Sequence, residues 1–141
     1  MPIRRELRGF YPIDWKQLSD VIRFKRAKGR CESCGRPHSK LVWHLRDGRW
    51  WDGERQAWRD GRGRPLPHMI VTLDDDVRTT KVVLATAHLD HDPTNNPARN
   101  LRALCQRCHI LNVKEEHLIR RRMTYRARKA LGDLFTGLYR V

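Results

Sequence analysis

Two Cys-x-x-Cys pairs constrain the fold of this chain more than any other feature. Cys31 and Cys34 form the first pair, Cys105 and Cys108 form the second, and the sequence has no other cysteine. Four thiolates complete a tetrahedral zinc site, and a shared site would join segments about 70 residues apart. Because such a closed shell leaves no open position for water, its role would be structural. The alternatives are two separate redox pairs or unligated core thiols.

The composition indicates a nucleic-acid partner. Thirty Lys and Arg residues against sixteen Asp and Glu residues give a formal net charge of +14, and only 39% of the residues are apolar. Arg outnumbers Lys, which suits bidentate contacts with phosphate groups. The small apolar fraction predicts a modest core that needs a further staple. An RNA-binding or ribosome-associated protein follows from the charge alone.

No segment of the sequence is typical of membrane insertion or export. The basic residues near the N-terminus are not followed by an apolar signal segment, and no run of about 18 apolar residues occurs. We therefore expect a cytoplasmic protein with no membrane partner. In that reducing compartment, paired cysteines favour metal thiolates over disulfides.

The first part of the chain predicts a helix followed by an irregular insertion. Asp14 is placed to cap a helix running to about Lys28, with Gln17 at the capping-box position and Gly29 as the stop. Residues 35–67 hold four tryptophans spaced among Gly, Arg and Asp, which is typical of short strands joined by turns. We expect these tryptophans to pack in the core rather than to stack on bases.

The second part predicts strands and then a long helix. Residues 68–73 and 81–89 are apolar runs rich in Val, Ile and Thr, and they predict the two strands of a hairpin with a solvated turn at residues 74–76. A polar loop leads to a short apolar run at residues 101–104. Helix-forming residues then predominate from Gln106 to about Leu131.

The stretch AHLDHDPTNNPARNLRALCQRCH places His88 at the end of a predicted strand, Asn100 after the loop and His109 on the helix. This pattern resembles the HNH endonucleases of the His-Me finger class, whose ββα-metal core carries a His, an Asn and a final His at these places. The Cys-x-x-Cys-His ending and the earlier cysteine pair are similar to the zinc-stapled subgroup, of phage and bacterial type. The resemblance covers residues 29–34 and 81–120.

The resemblance implies an α+β fold in which a four-cysteine zinc staples a ββα-metal core. It implies one nuclease domain over residues 1–141, with its core at about 29–34 and 78–122. The N-terminal helix, the Trp-rich insertion at about 35–67 and a basic helical tail at about 123–141 complete that domain.

The resemblance also assigns chemical roles. Hydrolysis of a phosphodiester bond needs a base for water and a divalent cation for the developing charge. His88 is implied as the base, because a His side chain accepts protons near neutral pH. Asn100 is implied to orient the loop and hold the His88 ring, or to approach the metal. His109 is implied as a ligand of one catalytic cation, which is Mg²⁺, Mn²⁺, Ni²⁺ or Zn²⁺.

One departure from the commonest motif leaves alternatives open. Ala87 stands where the family often has an acidic or His metal ligand. Asp90, His91 or water would then supply the missing ligand. A different register makes Asp90 and His91 the acid-base pair, but their spacing to Asn100 is short, which favours His88. A zinc-stabilised DNA-binding protein without catalytic activity is the alternative function.

The resemblance implies that duplex DNA is the substrate and is held mainly through its phosphates, with little reading of bases. It gives no indication of protein partners. The basic residues that we predict to contact DNA are Arg99, Arg102, Arg107, Lys114, Arg120 and Arg121.

Overall fold

A helical segment begins the computed structural model, which describes residues 3, 5–72 and 75–136, with side chains up to residue 130. A 3₁₀ turn at Arg5–Phe10 precedes helix α1 at Trp15–Asp20, and α1 continues directly into a π-helical turn at Val21–Arg26. The chain then leaves the helix through Gly29, whose φ of +70° is the left-handed conformation that ends many helices. The predicted stop at Gly29 is confirmed.

The predicted Asp14 cap is wrong. The Asp14 side chain makes no capping hydrogen bond, and its backbone angles are not those of a typical N-cap. The helix start is defined by its backbone instead, because the Trp15 N–H donates to the Pro12 carbonyl at 3.0 Å and the Leu18 N–H makes the first helical bond to the Asp14 carbonyl at 3.0 Å. The preceding turn therefore satisfies the first N–H donor of the helix.

The insertion forms most of an antiparallel five-stranded sheet. Its strands are β1 (Leu41–His44), β2 (Trp50–Asp52), β3 (Ala57–Arg59), β4 (Pro65–Leu66) and β5 (Arg78–Lys81). They lie in the order β4-β3-β2-β1-β5, so β5 pairs with β1 along its whole length. The predicted short strands and turns are present.

The predicted hairpin between residues 68–73 and 81–89 is wrong. The described residues 68–72 form no strand, and Ile70 is 83% exposed. Strand β6 (Leu84–His88) instead pairs with β7 (Leu101–Cys105) through five antiparallel residue pairs. The predicted turn lies partly outside the described residues, which omit Leu73 and Asp74. Pairing across the polar loop gives β6 a partner with buried residues at four of its five positions, whereas none of the described residues 68–72 is buried.

The main core surrounds the cysteines and contains one large side chain, Trp50, which is fully buried. Val42 from β1, Val82 and Leu84 from the β5–β6 region, and Leu104 from β7 pack into the same cluster as the four cysteines. The five-stranded sheet and the β6–β7 hairpin therefore share a core.

A second cluster joins the first helix to the hairpin. Ile22 packs with Leu101 and Ala103 of β7, and Trp15 and Leu18 cover the edge of this cluster. The Ser19 and Thr86 hydroxyl groups also meet at 2.9 Å. These contacts fix the helix across β6 and β7, beside the strand end that carries His88.

Helix α2 (Gln106–Thr136) follows β7 immediately. The chain divides into two compact units, Met1–His109 and Ile110–Val141, and the helix contributes its first turn to the first unit. In the second unit, the helix is exposed at every residue from 117 to 130. The predicted helix is confirmed to residue 131 and extends to Thr136, while residues 137–141 of the predicted tail lie outside the described residues. Among the described helices, none is both long and apolar enough to cross a lipid bilayer.

Two close contacts hold the insertion against the cysteine region. The Arg107 guanidinium donates to the Gly61 carbonyl at 3.4 Å and lies beside Gly48. Gly63 has a φ of +84°, and a Cβ atom at this position would lie 2.6 Å from the Cys34 carbonyl oxygen. The turn between β3 and β4 therefore packs directly on the first cysteine pair, and only glycine fits there.

We predict that Gly63→Ala destabilises the protein by about 1–3 kcal/mol, because the new methyl group meets backbone atoms and the left-handed φ is unfavourable for alanine. The measurement is chemical denaturation followed by tryptophan fluorescence. Gly53→Ala is the matched control, because Gly53 lies in the same insertion and a Cβ atom there would lie 3.9 Å from its nearest neighbour, the Trp51 Nε1 atom. Equal unfolding midpoints for the two variants would contradict this account of the turn.

Candidate functional site

The four cysteines form one buried cluster. Their sulfur atoms all lie within 4.8 Å of one another, and the Cys34 and Cys105 sulfurs are 3.6 Å apart. A tetrahedral zinc site with Zn–S bonds of about 2.3 Å requires sulfur separations of about 3.8 Å. The cluster could therefore bind a structural metal ion such as zinc, and the two pairs belong to one site as the sequence predicts.

A tight turn presents the first cysteine pair to the second. The Gly35 N–H donates to the Cys31 carbonyl at 2.8 Å, and Gly35 has a φ of +77°. The second pair spans the end of β7 and the first turn of α2, and the Cys105 N–H donates to the Cys31 sulfur at 3.3 Å. Backbone N–H groups that point at sulfur favour the thiolate form, which is the metal-binding form.

Hydrogen bonds among the sulfurs give the four thiols different pKa values. The bond to Cys105 lowers the pKa of Cys31 and raises the pKa of Cys34. The bond to Cys108 lowers the pKa of Cys105 to about 6, while the pKa of Cys108 is raised. Four sulfurs at this spacing do not all ionise unless a cation offsets their charge. The donor set fits a divalent metal that prefers sulfur ligands.

His88 ends β6 and is 8% exposed. The Trp15 ring stacks on its imidazole, with ring centroids 5.1 Å apart and planes 12° apart. Tyr11 meets the same ring edge-on at 5.7 Å, and burial raises the pKa of this tyrosine, so its phenol stays neutral. The imidazole is therefore held in one orientation by two aromatic rings.

Asn96 fixes the tautomer of His88. Its Nδ2 group donates to the Pro93 and Thr94 carbonyls at 3.1 and 3.0 Å, so its Oδ1 atom faces the imidazole. That oxygen lies 2.9 Å from the His88 Nε2 atom and can only accept a hydrogen bond. Nε2 therefore carries the proton of the neutral ring, and Nδ1 carries the lone pair that can accept a proton.

Asn100 organises the loop between β6 and β7. Its Nδ2 group donates to the Asp90 carboxylate and to the Asn95 carbonyl, both at 2.8 Å, and its Oδ1 accepts from the Asp90 N–H at 3.3 Å. The Asn95 amide also donates to Asp90 at 2.5 Å. These side-chain hydrogen bonds, first from Asn100 and then from Asn95, lower the pKa of Asp90 to about 2. The structure thus gives Asn100 a loop contact, while Asn96 contacts the His88 ring.

The residues predicted for a catalytic cation are less closely assembled. His109 is half-buried in the first turn of α2. Among the described residues, the four cysteines are the only group of three or more His, Cys, Asp or Glu side chains that could hold a metal. Both Asp90 oxygens accept hydrogen bonds within the loop. Asp90 therefore acts in this conformation as an acceptor that holds the loop together.

The residues predicted to contact DNA fall in both units. Arg99 and Arg102 are exposed on the hairpin, whereas the Arg107 guanidinium is turned toward the insertion. In the second unit, Lys114, Arg120 and Arg121 are exposed on α2, and Arg120 forms an ion pair with Glu116. The structure therefore leaves five of these six cations at the surface.

Three contacts of His88 were not predicted from the sequence: Asn96, Trp15 and Tyr11. The doubled asparagine at 95–96 was the available signal for Asn96, since a loop amide can fix an imidazole. Nothing local in the sequence marks Trp15 and Tyr11, because they reach His88 through the packing of α1.

Comparison with protein-family models, with curated protein sequences and with solved structures found no match for this chain.

We predict that the purified chain contains one zinc ion, measured by native mass spectrometry. Cys34→Ser should lose the ion and a large part of the folding free energy, because structural zinc contributes about 10–16 kcal/mol in small zinc domains. Ser33→Ala is the control, since Ser33 is exposed in the same turn and offers no sulfur. A metal-free wild type whose melting temperature is unaffected by a chelator would contradict a structural metal.

Proposed function

We propose that this chain is a metal-dependent endonuclease of the HNH kind, with a ββα-metal core, that hydrolyses DNA phosphodiester bonds. The observation that carries the proposal is the buried His88 at the end of β6, whose tautomer is fixed by Asn96. The order of β6, loop, β7 and α2 also supports it, with His88 at the end of β6, Asn100 at the end of the loop and His109 on α2. We place the protein in a phage or bacterial setting because of the motif in its sequence.

In this proposal, His88 is the general base. The proton on Nε2 is held by Asn96, so Nδ1 accepts the proton of the attacking water. Asn100 keeps the loop in place through Asp90, and this preserves the position of Asn96 on the same loop. Trp15 prevents rotation of the imidazole and reduces the mobility of the base.

A single divalent cation would supply charge stabilisation at the phosphate and the leaving oxygen. We assign His109 as its protein ligand, with substrate and water oxygens completing the shell, because the Asp90 carboxylate is engaged within the loop. The four-cysteine site has no part in catalysis, since a closed sulfur shell offers no position for water.

Exposed basic residues in each unit would contact the phosphates of DNA. In the first unit these residues are Arg99 and Arg102 of the hairpin. In the second unit they are Lys114, Arg120 and Arg121 of α2. Such contacts give affinity that depends strongly on salt and carry little sequence information.

We predict that His88→Gln reduces plasmid cleavage by about 10²–10⁴-fold in the presence of Mg²⁺, Mn²⁺, Ni²⁺ or Zn²⁺, which is the usual contribution of a general base. Glutamine retains a polar side chain of similar size beside Asn96 and Trp15, and thermal melting checks that the fold is intact. His68→Ala is the control, because His68 is exposed and lies outside both sheets. Equal cleavage by wild type and His88→Gln would refute the proposal.

The same experiment separates the alternative function. A zinc-stabilised DNA-binding protein without activity would bind duplex DNA with a steep salt dependence and cleave nothing with any of these metals. Ala87, at the position where an acidic or His ligand is common, is the observation that favours this alternative.

The Asn96 contact gives a second prediction. Asn96→Ala should lower the cleavage rate by about 10–100-fold, a size typical for the loss of a group that orients a functional His. Asn96→Asp should keep much of the rate, but the acid limb of its pH–rate profile should move to higher pH because a carboxylate stabilises the protonated imidazole. Unchanged rates and pH profiles in both variants would show that Asn96 does not position the base.

A further inference from the structure

Three of the five tryptophans lie on one face of the five-stranded sheet. Trp43 and Leu41 alternate with the buried Val42 on β1, so they point away from the core, and they are 54% and 71% exposed. Trp51 alternates in the same way with the buried Trp50 and Asp52 on β2. We call the surface formed by the following residues the tryptophan face: Leu41, Trp43, Trp51, Trp58 and Leu66.

The strand register places these side chains side by side. Trp51 is directly opposite Trp58, and their ring centroids are 5.8 Å apart with planes at 60°. Trp58 is opposite Leu66 on the next strand. The pairing of His44 with Trp50 puts their neighbours Trp43 and Trp51 on the same side of the sheet. Aromatic rings therefore cross three consecutive strands.

The tryptophan face carries positive charge and no acidic strand residue. On β5, Lys81 is opposite Leu41 and Thr79 is opposite Trp43, so these two residues extend the face toward the sheet edge. Lys40 and Lys81 are both exposed. Bases that stack on the rings would thus have cations near their phosphates.

A cavity of about 220 Å³ opens beside this face, between β1 and β2, and is lined in part by Lys40, Leu41 and Trp51. Two carboxylates also line it, and both are paired with arginines: Asp52 with Arg59 at 2.8 Å, and Glu54 with Arg30. Burial alone would raise the pKa of Asp52, but the arginine contacts hold it below its ordinary value, so the group stays ionised and neutralised in pairs. The cavity therefore does not present unpaired negative charge to a polynucleotide.

The exposure of these rings is unfavourable in an isolated domain. Tryptophan has a large apolar surface, and this chain has little apolar material for its core, yet only Trp50 is fully buried. A patch of exposed aromatic residues is typical of a binding surface. The net charge of +14 opposes the stacking of a second copy on this face and favours an anionic partner.

We propose that the tryptophan face binds single-stranded DNA, with unstacked bases on Trp43 and Trp51 and phosphates near Lys40 and Lys81. Duplex DNA does not offer its base faces, so it is a poor occupant of a flat aromatic surface. The choice of DNA over RNA rests on the proposed function, whereas stacking of a single strand is independent of cleavage.

The test uses the full chain with the His88→Gln substitution, so that cleavage is slow, and measures fluorescence anisotropy of a labelled oligo-dT and of a labelled duplex. Trp43→Ala should weaken oligo-dT binding by about 5- to 100-fold, the range for loss of one stacking ring, and leave duplex binding unchanged. Trp43→Phe keeps a ring and should restore most of the affinity. Ile70→Ala is the control, because Ile70 is 83% exposed and lies outside the sheet.

Several outcomes would overturn the proposal. Unchanged oligo-dT affinity in Trp43→Ala, or an equal loss for oligo-dT and duplex, would remove the stacking role. Sedimentation that shows a dimer dissociated by Trp43→Ala would assign the face to a second copy of the chain. Tighter binding of oligo-rU than of oligo-dT would overturn the assignment to DNA. An inactive wild-type enzyme that still shows the Trp43-dependent affinity would refute only the proposed nuclease function.

Discussion

The four sulfurs of Cys31, Cys34, Cys105 and Cys108 are the constraint on which the first unit depends. They connect the turn that follows the N-terminal helix to the junction of β7 and α2, and the main core is built around them. The Glu32 N–H donates to the Ala103 carbonyl at 2.9 Å, and the Glu32 carboxylate accepts from the Ala103 N–H at 2.7 Å. The turn that carries the first cysteine pair is thus hydrogen-bonded to the edge of β7. A metal ion on the sulfurs would stabilise all of these contacts together.

The sequence predicted the elements whose signals are local. The cysteine spacing predicted the shared cluster, tryptophans spaced among turn residues predicted the insertion strands, and Gly29 marked the end of the helix. The predicted hairpin was wrong because it relied on the apolar composition of residues 68–73. Strand β6 instead pairs with β7 across a polar loop, where register and burial determine the pairing. Asp14 does not cap the helix because its backbone angles belong to the turn that precedes the helix and not to an N-cap. In both cases the outcome depends on backbone conformation and strand register, which the composition of a segment does not predict.

The asparagines of the loop show the same limit at the site. A motif can place an Asn after a His, but which amide meets the ring depends on the loop backbone. Here Asp90 collects hydrogen bonds from Asn95 and Asn100, and this leaves Asn96 facing His88. The low pKa of Asp90 has the same cause, since amide donors stabilise its charged form. The loop is therefore organised by one carboxylate, and it carries the Asn96 amide that fixes the tautomer of His88.

The connection between the two sheets ties the candidate binding face to the candidate catalytic strand. Val82 exchanges backbone hydrogen bonds with Ser39 and Lys40, at 2.8 and 2.9 Å, just after β5 and just before β6. The Gln106 side chain accepts from the Val83 N–H and donates to the Lys81 carbonyl, so the start of α2 holds the same short link. Because this link is short and hydrogen-bonded at both ends, a DNA strand bound at Lys81 would stay in a fixed position relative to β6. If stacking and cleavage both occur, the favoured substrate is DNA in which a single-stranded segment adjoins the duplex to be cut.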